Sequence, residues 1–520
     1  MIPGVYVEEG NLGPPSIEGV PTGTAAMLGE TARGPLKPRL VTSVCEFERR
    51  FGGETGNDRY LPDAVSGFFE NGGKQLYVCR IVGKQATPSS AAFGDYTAVA
   101  VDPGAWGRRV WVRIDDRPAT QGHADGMPRP SAVRLRIAYW SVLPEGGLFD
   151  PFEPVHSPQL HRFPPDLVEV FDDLVADPRS PNFIDKRLLD DDGAPISALA
   201  ILVRNAGAAA NALPATGSSA LDGGDDGPMG VDDSDFQGEP GGLRTQLQGL
   251  AALEADEYRD VALVYAPAAS VALARRVIRH CEKLHHRFAV LDSDAGASSS
   301  ASLDPRATID DTPCAAFYHP WIYVPGRQPG ARRLVPPGGQ VLGLYARTDL
   351  ERGVFEAPAN GPLQGVLGMA EDLTDLEQQA LTPRGVNVIR DFGPRGIRVW
   401  GARTMSSDPL WKYVNIRRLL IFIERSIDEG TQWVVFEPND ARSWARVKAA
   451  IRDFLVHLWR DGALAGRTEH EACFVTCDET TMTQDDIVQG RLICEVGIAP
   501  VRPAEFVVFR VCRFTADAQR

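Results

Sequence analysis

Residues 1–35 read MIPGVYVEEGNLGPPSIEGVPTGTAAMLGETARGP, and two apolar stretches within them set the terms for the whole chain. Val5-Tyr6-Val7-Glu8 has the pattern of a short strand, and Ala25 to Gly29 that of a second, buried one. A Gly- and Pro-punctuated connector separates them. The first strand has no neighbour in sequence with which to form a hairpin, so its backbone donors and acceptors need partners elsewhere. On a tether of about a dozen residues it can reach a distant sheet edge, including one on another molecule.

The chain has 520 residues, too many for one core, which implies about two to four domains. A formal net charge of −15 argues against a nucleic-acid partner, because a polyanion would be repelled. Eight Cys are scattered without any CxxC pair, as expected of reduced thiols in a protein made in the cytoplasm. Cys473 and Cys477, on one strand face, read as two packed thiols. No signal peptide is expected, and no apolar run is long enough for direct membrane insertion.

Along the chain, residues 36–84 predict strand, helix, strand. Leu61, Ala64, Val65, Phe68 and Phe69 have helical spacing, and Leu76 to Val82 is a buried strand, together a βαβ-like unit. Residues 85–242 change character: Trp111–Ile114 and Val133–Ile137 alternate as half-buried strands. Between Leu213 and Leu243 there are seven acidic residues and no Lys or Arg, which reads as a solvated loop. Val261 to Tyr265, a helix from Val271 to His286 and Phe288 to Asp292 restore α/β order. Ser298 to Ser302 reads as a flexible link. Further on, strands are expected at Gly396–Trp400, Tyr413–Asn415, Trp433–Phe436, Cys473–Cys477, Leu492–Val496 and Phe506–Phe514. Helices are expected up to Asp428 and, capped by Asn439, from Ala441 to Asp461.

Candidate chemistry is sparse. His280, Cys281, His285 and His286 lack the paired knuckles of a structural zinc site. Asp222, Asp225, Asp226, Asp232, Asp233 and Asp235 lack the closing Glu of a calcium loop. There is no P-loop and no G-x-S-x-G elbow. We therefore expect no catalytic residues, no metal and no cofactor.

Six further elements carry a resemblance. They are Arg352-Gly-Val-Phe-Glu-Ala-Pro-Ala-Asn360, Leu381-Thr-Pro-Arg-Gly-Val-Asn-Val-Ile-Arg390, Val399-Trp-Gly-Ala-Arg-Thr404, Tyr413-Val-Asn-Ile-Arg-Arg418, Phe436-Glu-Pro-Asn439 and the stretch from Ala499-Pro500 to Pro503-Ala-Glu-Phe506. With the PGVYVEE opening and the A-R-G-P turn, and in this order, they resemble the contractile tail sheath proteins of phages and phage-like injection systems. The first departs from the family form at Phe355 and Glu356. The likeness covers roughly residues 1–84 and 243–520.

The resemblance implies an α+β multidomain fold. Residues 1–22 would be a strand-exchange arm, 23–84 and 346–499 the two parts of a sheath core, and 85–242 a variable β-rich outer insertion. Residues 243–345 would form a central α/β domain and 500–520 a second arm. Val5, Tyr6 and Val7, with Phe506, Val507, Val508 and Phe509, would be donated to neighbouring subunits. The implied partners are the chain itself, as a helical homopolymer of stacked rings, an inner tube protein, and baseplate and tail-terminator or cap proteins. The implied setting is a phage tail or injection particle, released by lysis.

The helix after Asn439 places Trp444, Val447, Ile451, Phe454, Leu455 and Leu458 on one face. Arg442, Arg446 and Arg460 point away from it, with Lys448 and Arg452 at its margins. Such a basic face is usually just solvated; the resemblance makes Arg442, Arg446, Lys448 and Arg452 the expected inner-tube contacts. Two other readings remain: a static shell or capsid-type protein, which would build one lattice, and a multidomain α/β hydrolase or transferase with its site at the strand ends of 243–345.

Overall fold

The computed structural model describes residues 16–53, 56, 58–118, 131–190, 193, 195–209, 211–227, 230–238, 248–296, 303–326 and 328–505. Its centre is an eight-stranded sheet in the order Ile397–Trp400, Val386–Asp391, Ala315–His319, Phe288–Asp292, Leu263–Tyr265, Ala25–Gly29, Leu76–Arg80, Arg39–Val41. The six inner strands are parallel and the two outermost antiparallel to their neighbours. Ala25–Gly29 therefore lies inside the sheet, with Ala25 level with both Leu263 and Leu76. The segments 23–84, 243–345 and 346–499, distinguished in sequence, all contribute strands to this one sheet.

Both faces are covered, as a parallel sheet requires. Ala25, Met27, Leu76, Val78, Phe288 and Val290 meet the helices Leu61–Glu70 and Gly338–Arg352 on one side. Ala26, Leu28, Cys79, Val264, Ala289 and Leu291 meet the helix Val271–Leu284 on the other. Helices Leu61–Glu70 and Gly338–Arg352 touch backbone to backbone. A Cβ on Gly339 would lie 2.4 Å from Ala64 O, and one on Gly343 2.4 Å from Phe68 O.

Most of residues 85–242 build two separate antiparallel sheets around a second core that includes Tyr96, Trp106, Ile114, Leu135 and Leu202. Arg80 fixes their root, donating from Nη1 to Gly34 O and Pro103 O, each at 2.9 Å. The C-terminal part packs the helices Val414–Gly430 and Ala441–Arg460 with the two-stranded sheet Cys473–Thr476/Glu495–Ile498 over a third core.

Several local expectations change. The acidic tract is not a free loop: Gly217–Ala220 pairs with Trp111–Ile114, Leu221 is buried, and Asp222 and Asp225 bridge to Ser90 and Thr87. Tyr413–Asn415 is not a strand: Tyr413 is extended, but the helix starts at Val414, where Val414 and Ile416 enter the core. Trp433–Phe436 is a 3₁₀ turn over Gln432–Val434 followed by an exposed bend. Asp440, not Asn439, caps the long helix, its side chain accepting from Ser443 N at 2.9 Å. The strand expected at Leu492–Val496 lies at Glu495–Ile498. Ser298–Ser302, Val5–Val7 and Phe506–Phe514 lie outside the described residues.

Candidate functional site at the roots of the chain ends

The incoming segment is clamped between two helices. Ile17 and Val20 are buried, and Val20 N donates to Ser426 Oγ at 3.2 Å. Thr22 Oγ1 donates to Asp349 at 2.7 Å, while Arg418 donates to Asp349 at 2.8 Å and to Thr22 O at 3.1 Å. The Arg418 guanidinium also lies 4.9 Å from the centre of the Tyr345 ring. The Arg418 and Asp349 side chains are only 3% and 6% exposed. Burial alone would pull Arg418 down, but Asp349 overrides it and holds the guanidinium above its ordinary value. Removing one partner of such a pair costs about 3–5 kcal/mol, because a charge is left buried alone.

The outgoing segment has its own clamp. Glu505 accepts from Arg403 Nε and Nη2 at 2.6 and 2.7 Å, from Lys412 Nζ at 3.1 Å and from the Tyr413 hydroxyl at 3.1 Å. Burial works to raise this carboxyl, but the Arg403 and Lys412 hydrogen bonds prevail and hold it at about 2 against an ordinary 4.5. Arg403 is itself held by Asn387, which accepts from Arg403 N and donates to Arg403 O, each at 2.7 Å. Arg403 also reaches Thr382 O at 3.1 Å.

These contacts give the sequence elements a physical reason. Thr382 and Asn387, Arg403, Tyr413 and Glu505 come from four separate elements and meet at one clamp. Arg418 from one of them meets Thr22 near the N-terminus, and Asn415 donates to Phe355 O at 2.8 Å. Sequence reasoning found the elements but not their convergence, since Arg403 and Glu505 are a hundred residues apart.

Between Arg418 and Glu505 in the sequence comes the two-stranded sheet, with Cys473 opposite Ile498 and Thr476 opposite Glu495. Its inner face rests on Val447, Ile451 and Leu455 of the long helix. On the outer face Phe474 lies over Gly497, where a Cβ would come within 2.0 Å of the ring. Two strands alone are marginal. Among the described residues neither Cys473–Thr476 nor Glu495–Ile498 pairs with a further strand.

Of the four residues of the long helix expected to meet the tube, three already have carboxylates. Arg446 lies 3.5 Å from Glu437 and stacks on Trp433, Lys448 is 3.9 Å from Asp478, and Arg452 pairs with Glu469. Arg442 is exposed and forms no close ion pair among the described residues, though the Asp440 carboxylate feels its charge. Cys473 and Cys477 separate into different clusters; the thiol beside Cys477 is that of Cys494.

At the strand ends of 243–345 the structure holds a feature that sequence reasoning missed. Ser293 Oγ is 2.9 Å from His319 Nδ1, and His319 Nε2 is 3.6 Å from Glu371. The order Ser–His–Glu is that of a hydrolytic triad, but with the ring nitrogens exchanged, since a triad sets Nε2 on the hydroxyl and Nδ1 on the carboxylate. Yet Ser293 and His319 are 2% and 1% exposed, so nothing can reach the hydroxyl. His280 accepts from Arg287 at 2.6 Å, and no cluster of metal ligands exists among the described residues.

Comparison with known proteins agrees with this geometry. The model of the phage tail sheath protein central domain matches residues 242–405, and that of the phage tail sheath C-terminal domain matches 406–512. A prophage major tail sheath protein of Pseudomonas aeruginosa is 26% identical over 278 residues, covering 53% of this chain and 69% of that one. Among solved structures, the contracted helical sheath of the anti-feeding prophage aligns over 99% of both chains with a TM-score of 0.57 at 23% identity. The contracted PVC sheath of an extracellular contractile injection system aligns over 100% and 98%, with the same TM-score and identity. The two domain models adjoin and together match just over half of the sequence, so the chain belongs to the phage tail sheath family, as a structural subunit of a contractile sheath.

Proposed function

We propose that subunits join by exchanging terminal strands, and that the Cys473–Thr476/Glu495–Ile498 sheet is the acceptor. The observation that carries this is the pair of open edges on a sheet too small to stand alone, with a clamp where each end of the described chain departs. Val5–Val7 and Phe506–Phe509 of neighbouring copies would complete that sheet by main-chain pairing. The clamps would carry tension from the donated strand into the central sheet. Deleting Met1–Gly10 should leave a folded monomer that makes no long sheaths by negative-stain microscopy. Sheaths of normal length from the truncated protein would sink the exchange.

The polymer would surround an inner tube protein, start at a baseplate, end at a terminator or cap protein, and drive the tube through a target envelope on contraction. It would be made in the cytoplasm and act from a released particle. The exposed face of Ala441–Arg460 would hold the tube. Arg442 would contribute most among the four basic residues, because Arg446, Lys448 and Arg452 are already neutralised within the chain. Exposed pairs are each worth about 0–1 kcal/mol, so a grip repeated at every subunit is firm in sum yet released together. Arg442→Glu should lower tube co-purification at low salt more than Arg452→Glu does; equal retention in both would place the grip on another surface. The buried Ser293–His319–Glu371 chain favours a structural role over a catalytic one.

A further inference from the structure

Cys477 and Cys494 stand opposite each other just past the end of the two-stranded sheet. Its last ladder pair is Thr476 with Glu495, so the next residue on each strand occupies the following cross-strand position. Successive side chains alternate between faces, which puts both thiols on the inward face with Cys473 and Val475. Both sit in one small apolar cluster with Trp444 and Met482. The two thiols lie close enough to act on each other, which holds that of Cys477 below its ordinary range and pushes that of Cys494 above its own. Directly opposed Cβ atoms in antiparallel strands lie about 4.5–5.5 Å apart, within a small adjustment of the roughly 3.5–4.5 Å of a disulfide. Cys473 is no competitor: Cys494 borders both apolar clusters, but Cys473 faces Ile498, four residues along the strand from Cys494.

We propose that Cys477 and Cys494 are a disulfide site, closed when the protein meets a small-molecule disulfide such as oxidised glutathione. One protein thiolate attacks the S–S bond of the oxidant, forming a mixed disulfide and releasing one glutathione thiol. The second protein thiolate then attacks the mixed disulfide at the protein sulfur and releases the other glutathione. Two protein S–H bonds are lost and one S–S bond forms; the oxidant is reduced to two thiols and takes both protons. The segment the bond encloses, residues 478–493, is already ordered by the helix Gln484–Val488, its Thr483–Asp486 capping box and the 3.1 Å bond from Asn439 to Arg491 O. Closure therefore needs little backbone movement. The staple would fix the register of the sheet assigned above as acceptor, but the site itself does not depend on that assignment.

The test uses the full chain, incubated with oxidised glutathione, quenched with an alkylating reagent and digested with trypsin. Arg491 lies between the two cysteines, so reduced protein gives separate peptides and the staple joins them. The joined peptide should form in wild type and in Cys473→Ser, and should be absent from Cys477→Ser and Cys494→Ser. Oxidised wild type should melt above its reduced form, with no such shift in either of those two variants. The site is overturned if exposed Cys45 becomes glutathionylated while Cys477 and Cys494 are recovered separately alkylated. It is equally overturned if the cross-link disappears in Cys473→Ser.

Discussion

Glu505 is the residue at which the chain leaves its described fold, and its charge is held by Arg403, Lys412 and Tyr413. Its folded value of about 2 lies below the ordinary 4.5. A depressed carboxylate stabilises the fold fully above its unfolded value, and that contribution is lost as pH falls through about 2. Glu505→Gln should therefore lower the melting temperature most near neutral pH, and the gap to wild type should close in strong acid. A gap that does not change with pH would mean that the carboxylate is not what holds Arg403. Asp292 works in the opposite sense. Burial pushes it up to about 7, so its contribution grows as pH falls from there toward an unfolded value near 3.8. At the residue scale little of this was legible. The sequence elements supply Arg403 and Glu505, but only the folded chain brings them together, and nothing near Ser293 signals His319 or Glu371.

Elements were legible where pattern and burial agree. Leu61–Glu70 and Val271–Leu284 follow from apolar spacing, and the structure buries most of the residues that spacing selects, although Phe69 and Leu284 are half-buried and Val271 is exposed. They were misread where β-branched and aromatic residues serve another purpose. Val414 and Ile416 open a helix because that packs them in the core, whereas Phe436 is 101% exposed at φ 71°, in a bend no strand would tolerate. Gly217–Ala220 was missed for the reverse reason. Its sequence, Gly-Ser-Ser-Ala, has no side chains to announce a strand, and it is held by main-chain pairing to Trp111–Ile114. Removing residues 213–243 should therefore expose Val112 and Ile114, destabilise the insertion and raise dye binding to apolar surface. Unchanged melting would show that this strand contributes nothing to the insertion.

The whole molecule is organised by the interleaving of its central sheet. Leu263–Tyr265 and Phe288–Asp292 look self-sufficient in sequence, yet Leu263–Tyr265 needs Ala25–Gly29 on its open edge and Ala315–His319 needs Val386–Asp391. The isolated segment 243–345 should therefore not fold. Circular dichroism should find it largely unstructured or aggregated, and a cooperative melt would show that it is a domain in its own right. Strand types in this region could be read from runs of Val, Leu and Ala. Their spatial order could not, because parallel pairing carries no local turn to mark it.

The place of Ala25–Gly29 inside the sheet also puts a delay into biosynthesis. When Leu76–Arg80 leaves the ribosome, Ala25–Gly29 gains a neighbour on one side only. Its other neighbour, Leu263–Tyr265, is made roughly 180 residues later, on the order of 10–40 s at about 5–20 residues per second. Throughout that interval the nascent chain presents an unpaired, wholly apolar parallel edge in a cell filling with identical nascent chains. Yield in the producing cell should thus depend on what shields this edge before residue 263 emerges, well before any subunit meets another as a finished part.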